Sequence, residues 1–287
     1  MNDANKSMKN KICIVTGATS GIGKETAKAL AVEGAFVIVV GRNVKKCIST
    51  IKSIKRATNS TRIDYVCSDL SDLNQVRSLA DTLKKKHNRI DVLVNNAGAY
   101  FKSQRHESVD GYEMTLALNY LSPFLLTTLL IDLLEKSKQA RIINVSSGAH
   151  FQGTIDIADF QSKHNYNGFN AYAQSKLALV LFTYELARRL TNSHITVNAL
   201  HPGLVATNFG KNNGLLRFYI RRLIKRHEIS PQEGARTLIY LATSLETANI
   251  SGGYFENNKQ VKSSENSYDE TLAKQLWEVT EGLVNIS

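Results

Sequence analysis

Cysteine, proline and uninterrupted apolar stretches are all scarce in this chain, and each scarcity removes a class of protein. Three cysteines, Cys13, Cys47 and Cys67, lie scattered without metal-type spacing. They imply no disulfide framework and fit thiols kept reduced in a packed interior. With three prolines and no Pro/Gly/Ser-rich linker, low-complexity tract or internal repeat, nothing divides the chain, and one decorated domain is expected. The amino terminus, Met1–Lys11, is short, polar and basic. It lacks the apolar core of about 7–15 residues that a secretory signal needs, so residues 1–10 read as a polar tail. No stretch reaches the ~18 uninterrupted apolar residues of a membrane span. The longest greasy run, Leu116–Leu134, is broken by Asn119, Ser122, Pro123, Thr127, Thr128 and Asp132 and reads as a buried helix. A cytoplasmic protein is the expectation. No cluster of His, Cys, Asp or Glu has metal-ligand spacing.

What is present is a globular composition, 43% hydrophobic and 21% charged, over 287 residues, enough for one large α/β domain with a substantial core. Thirty-six basic against 25 acidic residues leave a net charge of +11, which favours anionic partners without choosing among nucleotides, nucleic acid and acidic membranes. Short apolar or β-branched runs at Ile12–Val15, Phe36–Val40, Ile63–Cys67, Val92–Val94, Ile142–Val145 and Ile195–Leu200 suit strands covered on both faces. Helical patterns near Lys24–Glu33, Val44–Thr58, Leu73–His87, Gly111–Ser137 and Ala171–Thr191 lie between them. The alternation predicts βαβ units and an α/β doubly wound parallel sheet with helices on both faces. Ser230-Pro231-Gln232-Glu233 carries a capping-box signature for a further helix. The polar insert His150–Asn170 and the basic segment Lys211–His227 fit the alternation less well.

The first predicted strand runs into Thr16-Gly17-Ala18-Thr19-Ser20-Gly21-Ile22-Gly23, and a helix follows. Glycines there let the backbone turn tightly and approach a pyrophosphate, whose charge the helix amino terminus favours. At the end of the second strand stands Gly41-Arg42-Asn43, with no acid to bind a ribose hydroxyl. Arg42 can fork onto a phosphate, so NADP(H) is favoured over NAD(H).

Three further motifs follow in order: Asn95-Asn96-Ala97-Gly98 after the fourth strand, Ser146-Ser147 after the fifth, and Tyr172-x-x-x-Lys176 on the next helix. A tyrosine and a lysine four apart arise by chance in a chain this long; four ordered motifs at strand and helix edges carry far more weight. Together they resemble the short-chain dehydrogenase/reductase family, from about Lys11 to about Tyr254. Ser147-Gly148-Ala149-His150, Asp159-Phe160-Gln161 and Ala171-Tyr172-Ala173-Gln174-Ser175-Lys176-Leu177-Ala178 resemble its retinol-dehydrogenase-like branch. So do the interval of 25 positions from Ser147 to Tyr172 and the pattern around Leu276-Trp277. Many animal members of that branch carry an amino-terminal anchor, which Met1–Lys11 does not resemble.

The chemistry suits these residues. Reducing a carbonyl by hydride needs a proton donor for its oxygen, and oxidising an alcohol needs the reverse. Free tyrosine has a pKa near ~10, and a cation nearby favours phenolate. Tyr172 and Lys176, at i and i+4, share one helix face. The resemblance implies that Tyr172 is the acid/base, that Ser147 rather than Ser146 holds the substrate oxygen, and that Asn119 completes a tetrad by bending its helix and holding a water linked to Lys176. It further implies a cofactor site of Gly17, Thr19, Ser20, Gly21, Ile22, Gly23, Arg42, Asp69, Leu70, Asn96, Ala97, Gly98, Tyr172, Lys176, Pro202, Gly203 and Thr207, with Asn95 steadying the sheet. Asp69 reads equally as a turn aspartate capping the next helix. His150 and His201 read as structural or rim residues.

The resulting expectation is a Rossmann-type catalytic domain over 11–287, with a substrate lid at about 204–228 and a carboxy-terminal extension at about 256–287. It acts as an NADP(H)-dependent oxidoreductase on a lipophilic alcohol or carbonyl such as a retinoid, a steroid or another aldehyde or ketone. The densest basic patch, 215–226, reads as a lid helix or as a membrane-surface helix that collects such substrates, and the two are compatible. The family's habit of pairing through two long helices allows a homodimer. A catalytically silent dinucleotide sensor on the same fold is the alternative. Nucleic-acid binding has only the net charge in its favour and no motif.

Overall fold

The computed structural model describes residues 7–101, 104–164, 166–204 and 229–286. Among these, eight strands form one sheet: β1 (Ile12–Thr16), β2 (Phe36–Gly41), β3 (Ile63–Cys67), β4 (Val92–Asn95), β5 (Ala140–Val145), β6 (Ile195–Leu200), β7 (Gly253–Glu256) and β8 (Lys259–Val261). Their order is β3-β2-β1-β4-β5-β6-β7-β8, parallel except for the antiparallel β7–β8 pair. The chain winds outward from β1 to β3 and then returns to place β4 beside β1. That reversal opens a crevice at the carboxyl ends of β1 and β4, where such sheets bind ligands.

The strands are continuously apolar because both faces are covered, and their alternation sorts side chains between two layers. Ile14, Ile38, Val40 and Leu93 point into a layer with α3 (Leu73–Lys86), α5 (Ser122–Glu135), α6 (Gly168–Arg189) and α9 (Glu270–Leu283). Cys13, Val15, Val37, Val39 and Val94 point the other way, against α1 (Gly21–Val32), α2 (Val44–Thr58) and α8 (Arg236–Thr243). Side-chain caps set several helix starts: Asn43 for α2, Asp72 for α3 and Asn167 for α6. The expected capping box at Ser230 and Glu233 opens the short α7 (Pro231–Gly234).

The segment Met114–Glu135 is long and apolar enough to cross a membrane, yet 72% of its most apolar window is buried inside the fold. It is a core element made of α4 (Met114–Leu116), one π-helical turn (Ala117–Leu121) and α5.

Beyond β6 the structure has more order than the alternation pattern revealed. β7 extends the parallel sheet, and Asn257-Asn258, both at positive φ (50° and 62°), turn the chain into β8. Asn is among the residues that tolerate that conformation. α9 then packs on α6 through Trp277, whose ring lies 4.9 Å from Phe124 and 5.8 Å from Phe182. The Arg189 guanidinium sits 4.1 Å from the same ring's centre. Truncating Trp277, 6% exposed, removes both the aromatic packing and the cation–π contact. Trp277→Ala is expected to lower the unfolding free energy by about 3–5 kcal/mol in urea titrations. A loss under about 1 kcal/mol would mean that α9 is not fastened through this ring.

Candidate active site

The crevice is lined first by the turn between β1 and α1. Gly17 and Gly21 take φ of 64° and 56°, a region that strains any residue with a Cβ. At Gly23 a Cβ would stand 2.4 Å from Asn96 Nδ2 and 2.8 Å from the Gly17 carbonyl oxygen, so close packing alone requires glycine. Thr16, which sequence reading passed over, stitches this turn to the loop after β4. Its Oγ1 accepts from the backbone N–H of Asn96 (2.9 Å) and Ala97 (3.0 Å) and donates to the Val94 carbonyl at 3.2 Å. Asn96 Nδ2 donates back to the Thr16 carbonyl at 2.8 Å. The only signal available was position, as Thr16 directly precedes the glycine turn.

The amino end of α1 suits an anion. Ser20 is exposed and makes no side-chain cap, and the first turn holds no acid, so the positive end of the helix faces the crevice uncompensated. Thr19 and Ile22 flank it, half-buried. At the tip of β2 a Cβ on Gly41 would lie 2.5 Å from Thr19 Cγ2, which draws the second strand's end against the turn. Arg42 follows, exposed and without a salt bridge among the described residues. Asp69 is a turn residue, its Oδ1 accepting from Ser71 N–H and Oγ at 3.0 and 2.8 Å. The cap of α3 is Asp72 and not Asp69: Asp72 Oδ1 accepts from Asn74 and Gln75 N–H at 2.9 and 3.2 Å, and Asp110 takes the Leu73 N–H. Leu70 beside it is buried. Pro202 and Gly203 (φ 84°) follow β6. Thr207, the basic segment 215–226 and all of the expected lid beyond Leu204 lie outside the described residues. A glycine cradle, a helix amino terminus and a free guanidinium fit a dinucleotide.

The second half of the site rises from α6. Lys176 is 4% exposed, and its Nζ donates to the Val145 carbonyl at 2.8 Å and lies 5.8 Å from the centre of the Tyr172 ring. Burial lowers the ammonium from its ordinary 10.5 to about 8. Burial also pushes the Tyr172 phenol up to about 12, against the hydrogen bond from Ser147 that lowers it. Desolvation is thus the dominant influence on the Tyr172 phenol in the chain by itself. Ser146 is the structural member of its pair, its buried Oγ donating to the Lys176 carbonyl at 2.9 Å. Ser147 is the one that meets Tyr172.

Asn119 stands in the π-helical turn, the local widening that such sites often carry. Its Nδ2 donates to the Ala99 carbonyl and to Ser175 Oγ, each at 3.0 Å, and its Oδ1 accepts from Ala99 N–H at 2.9 Å. That clamp holds the chain after β4 against α6. Gly98 is wedged between: a Cβ there would lie 3.1 Å from Asn119 Oδ1 and 3.4 Å from Lys176 Nζ. Asn95 donates to Thr127 and Asn144 at 2.9 and 2.8 Å, deeper in the sheet. One further ring escaped sequence reading, and one of the histidines read as structural proves to be so. Tyr100 sets its ring 5.4 Å from that of Tyr172. His150 is fully buried and, with His201, bonds the backbone around Ser147 and Gly148. Among the described residues no group of His, Cys, Asp and Glu could hold a metal.

Comparison with known proteins agrees with this geometry. The family pattern for short chain dehydrogenases matches residues 11–215. Human retinol dehydrogenase 13 is 40% identical over 286 residues, spanning 96% of this chain and 85% of that protein. Human polyprenol dehydrogenase is 40% identical over 279 residues, 93% of this chain and 83% of that one. The NADP complex of RhlG from Pseudomonas aeruginosa matches with a TM-score of 0.71 at 28% identity, over 89% of this chain and 97% of that chain. With its matched sequence and its doubly wound sheet, the chain belongs to the short-chain dehydrogenase family and is a nicotinamide-dependent oxidoreductase working between alcohols and carbonyls.

Proposed function

We propose that this enzyme uses NADP(H) to interconvert a lipophilic alcohol and its aldehyde or ketone, with Tyr172 as the proton-transferring group. The observation that carries the reading is the hydrogen bond between Ser147 and a Tyr172 phenol lying beside the buried Lys176 ammonium. A bound nicotinamide would supply or accept the hydride. Everything else falls to the chain's own side chains. Ser147 Oγ orients the substrate oxygen, and Tyr172 Oη gives it a proton in the reducing direction. A phenol pushed up to about 12 keeps that proton at neutral pH until the substrate oxygen takes it. Lys176 keeps a positive charge next to the oxygen that becomes anionic once the proton has gone. Asn119 holds Ala99 and Ser175 in register so that Gly98 and Lys176 can meet.

Preference for NADP(H) rests on Arg42, an exposed guanidinium at the tip of β2 with no acid beside it, and is consistent with the NADP complex of RhlG. A lipophilic substrate is supported by Phe151, Phe169 and Leu204, 55%, 39% and 60% exposed, on segments that follow β5 and β6 or open α6. All three lie toward the catalytic edge of the sheet, and two relatives carry retinol and polyprenol in their names.

Tyr172→Phe is expected to cut turnover by about 10³-fold while NADPH still quenches protein fluorescence at nearly the same concentration. Turnover at the level of the parent would end the mechanism. Arg42→Asp should reverse the cofactor order, costing NADPH about 10–100-fold in kcat/KM and sparing NADH. A uniform loss with both cofactors would speak against Arg42 as the phosphate contact. Lys176→Met replaces a desolvated cation by an apolar chain of similar length. Because the folded lysine titrates near 8 against an ordinary 10.5, the unfolded chain binds the extra proton between those values, and the parent's stability rises with pH there. The Met variant should therefore be inactive, with a stability advantage below pH 8 that shrinks as the pH approaches 10.5. Urea melts across that window check it, and an advantage growing with pH would contradict it.

A further inference from the structure

His150 and His201 grip the two polar groups of a single peptide unit. His150 Nδ1 lies 2.7 Å from the Ser147 carbonyl oxygen, which also accepts the His150 backbone N–H at 3.1 Å. On the other side of the same peptide, Gly148 N–H donates to His201 Nδ1 at 3.1 Å. The far nitrogen of His150 and the backbone of His201 are held in turn. Ser264 N–H donates to His150 Nε2 at 3.1 Å, and His201 N–H donates to the Phe255 carbonyl at 2.9 Å.

These contacts fix the proton on each ring. A carbonyl only accepts and an amide N–H only donates. His150 must therefore carry its proton on Nδ1 and leave Nε2 bare for Ser264. His201 must leave Nδ1 bare for Gly148 and carry its proton on Nε2. We infer that His150 and His201 are a pair of positioning residues, neutral and of opposite tautomer, which hold the Ser147–Gly148 peptide in one orientation and so aim the Ser147 hydroxyl at Tyr172. This rests on the roles proposed for Ser147 and Tyr172.

The peptide's orientation matters because it sets ψ of Ser147, now 153° with φ at −156°, which limits the rotamers open to its Oγ, and because it places the Ala149 N–H that Oγ accepts at 3.2 Å. Rotating the peptide would forfeit three hydrogen bonds at once. The clamp is also anchored outside the residues of the family pattern, 11–215. Ser264 is locked by its neighbours, with Ser263 Oγ 2.6 Å from both Tyr184 Oη and Ser267 Oγ, and Ser263 N–H donating to Tyr268 Oη at 3.1 Å. The carboxy-terminal segment thereby reaches the catalytic serine through one imidazole.

A second proton on either ring puts N–H against N–H, at Ser264 for His150 and at Gly148 for His201. The surroundings oppose that protonation. Burial lowers His150, aided by the nearby His201 and countered by the Ser147 bond. Burial also lowers His201, countered by Glu256. Around the pair stand Tyr254, whose Oη is 3.4 Å from His150 Nδ1 and whose ring lies 4.8 Å from the imidazole, and Tyr172 on α6 through its bond to Ser147. Two imidazoles held neutral keep the clamp shut above the ordinary histidine range, and it opens as the pH falls through their lowered values.

The experiment compares isosteric with apolar replacements. In His201→Asn the amide oxygen takes the place of Nδ1 and cannot titrate; in His150→Asn the amide nitrogen keeps the bond to Ser147. Each should hold kcat at neutral pH within about threefold of the parent, and the double variant should move the acid limb of kcat to lower pH. His201→Leu and His150→Leu should lose about tenfold or more in kcat, with the Kd for NADPH and the circular dichroism unchanged. Asn and Leu variants equally active, or equally inactive, in a parent enzyme that turns over would overturn the clamp, as would an acid limb unmoved by the double variant. A parent that reduces no aldehyde or ketone would instead fail the proposed function. In that case the 15N shifts of the imidazole nitrogens still decide, since Nδ1–H for His150 with Nε2–H for His201 is required, and any other pair of tautomers refutes it.

Discussion

A lysine ammonium buried away from bulk solvent is the most demanding thing in this protein. Taking that charge out of water is unfavourable unless something polar is fixed to meet it, and Lys176 is met by the Val145 carbonyl at the end of β5. The neighbourhood is built to allow this. Residue 98 has no side chain because Asn119 and the ammonium occupy its space. Asn119 enters that space from a π-helical turn, and it spends its amide on Ala99 and Ser175 so that the loop after β4 cannot drift. Burial that costs stability at Lys176 is what leaves a charge close to Tyr172 shielded from bulk solvent.

Such a site needs a rigid frame, and the frame is polar as well as apolar. A buried chain of hydrogen bonds runs from Thr127 on α5 through Asn95 and Asn144 on adjacent strands to Thr183 on α6. In register, Asn95 faces Asn144 across the β4–β5 pair. Once made, such a network is costly to break, because each member would be left unpaired in a low-dielectric interior. It fixes β4 and β5 relative to the two helices that carry Asn119's neighbours and the Tyr172–Lys176 pair. The glycine turn is fixed to the same strands through Thr16 and Asn96.

Much of this was legible in the sequence. The alternation of apolar runs and helical periods located six parallel strands, because a strand buried on both faces has no polar positions to blur its signal. Ser147, Tyr172, Lys176 and Asn119 could be singled out because their chemistry is tied to a spacing or to an incongruous setting. β7 and β8 escaped for the opposite reason: one is four residues long and the other is an exposed polar edge. The desolvation of Tyr172 and Lys176 also escaped, since i and i+4 spacing reports proximity but not how much water each group has lost. Thr16 and Tyr100 act through contacts across loops, which leave no periodic trace. His150 and His201 were visible beside the motifs, but the shared peptide between them exists only in three dimensions.

That last point bears on where the catalytic unit ends. β6 through β8 and the segment around Ser264 do not bring a reacting group to the crevice, yet they hold both histidines from outside. The Phe255 carbonyl accepts the His201 backbone N–H, and Ser264 N–H donates to the far nitrogen of His150. α9, by packing Trp277 on Phe124 and Phe182, fastens that segment's continuation to α6, the helix that carries Tyr172. A serine hydroxyl is directed only as well as the peptide behind it is held. On the proposed clamp, the segment from β7 to α9 contributes through backbone geometry, and substitutions around Ser264 should alter turnover without touching substrate or cofactor.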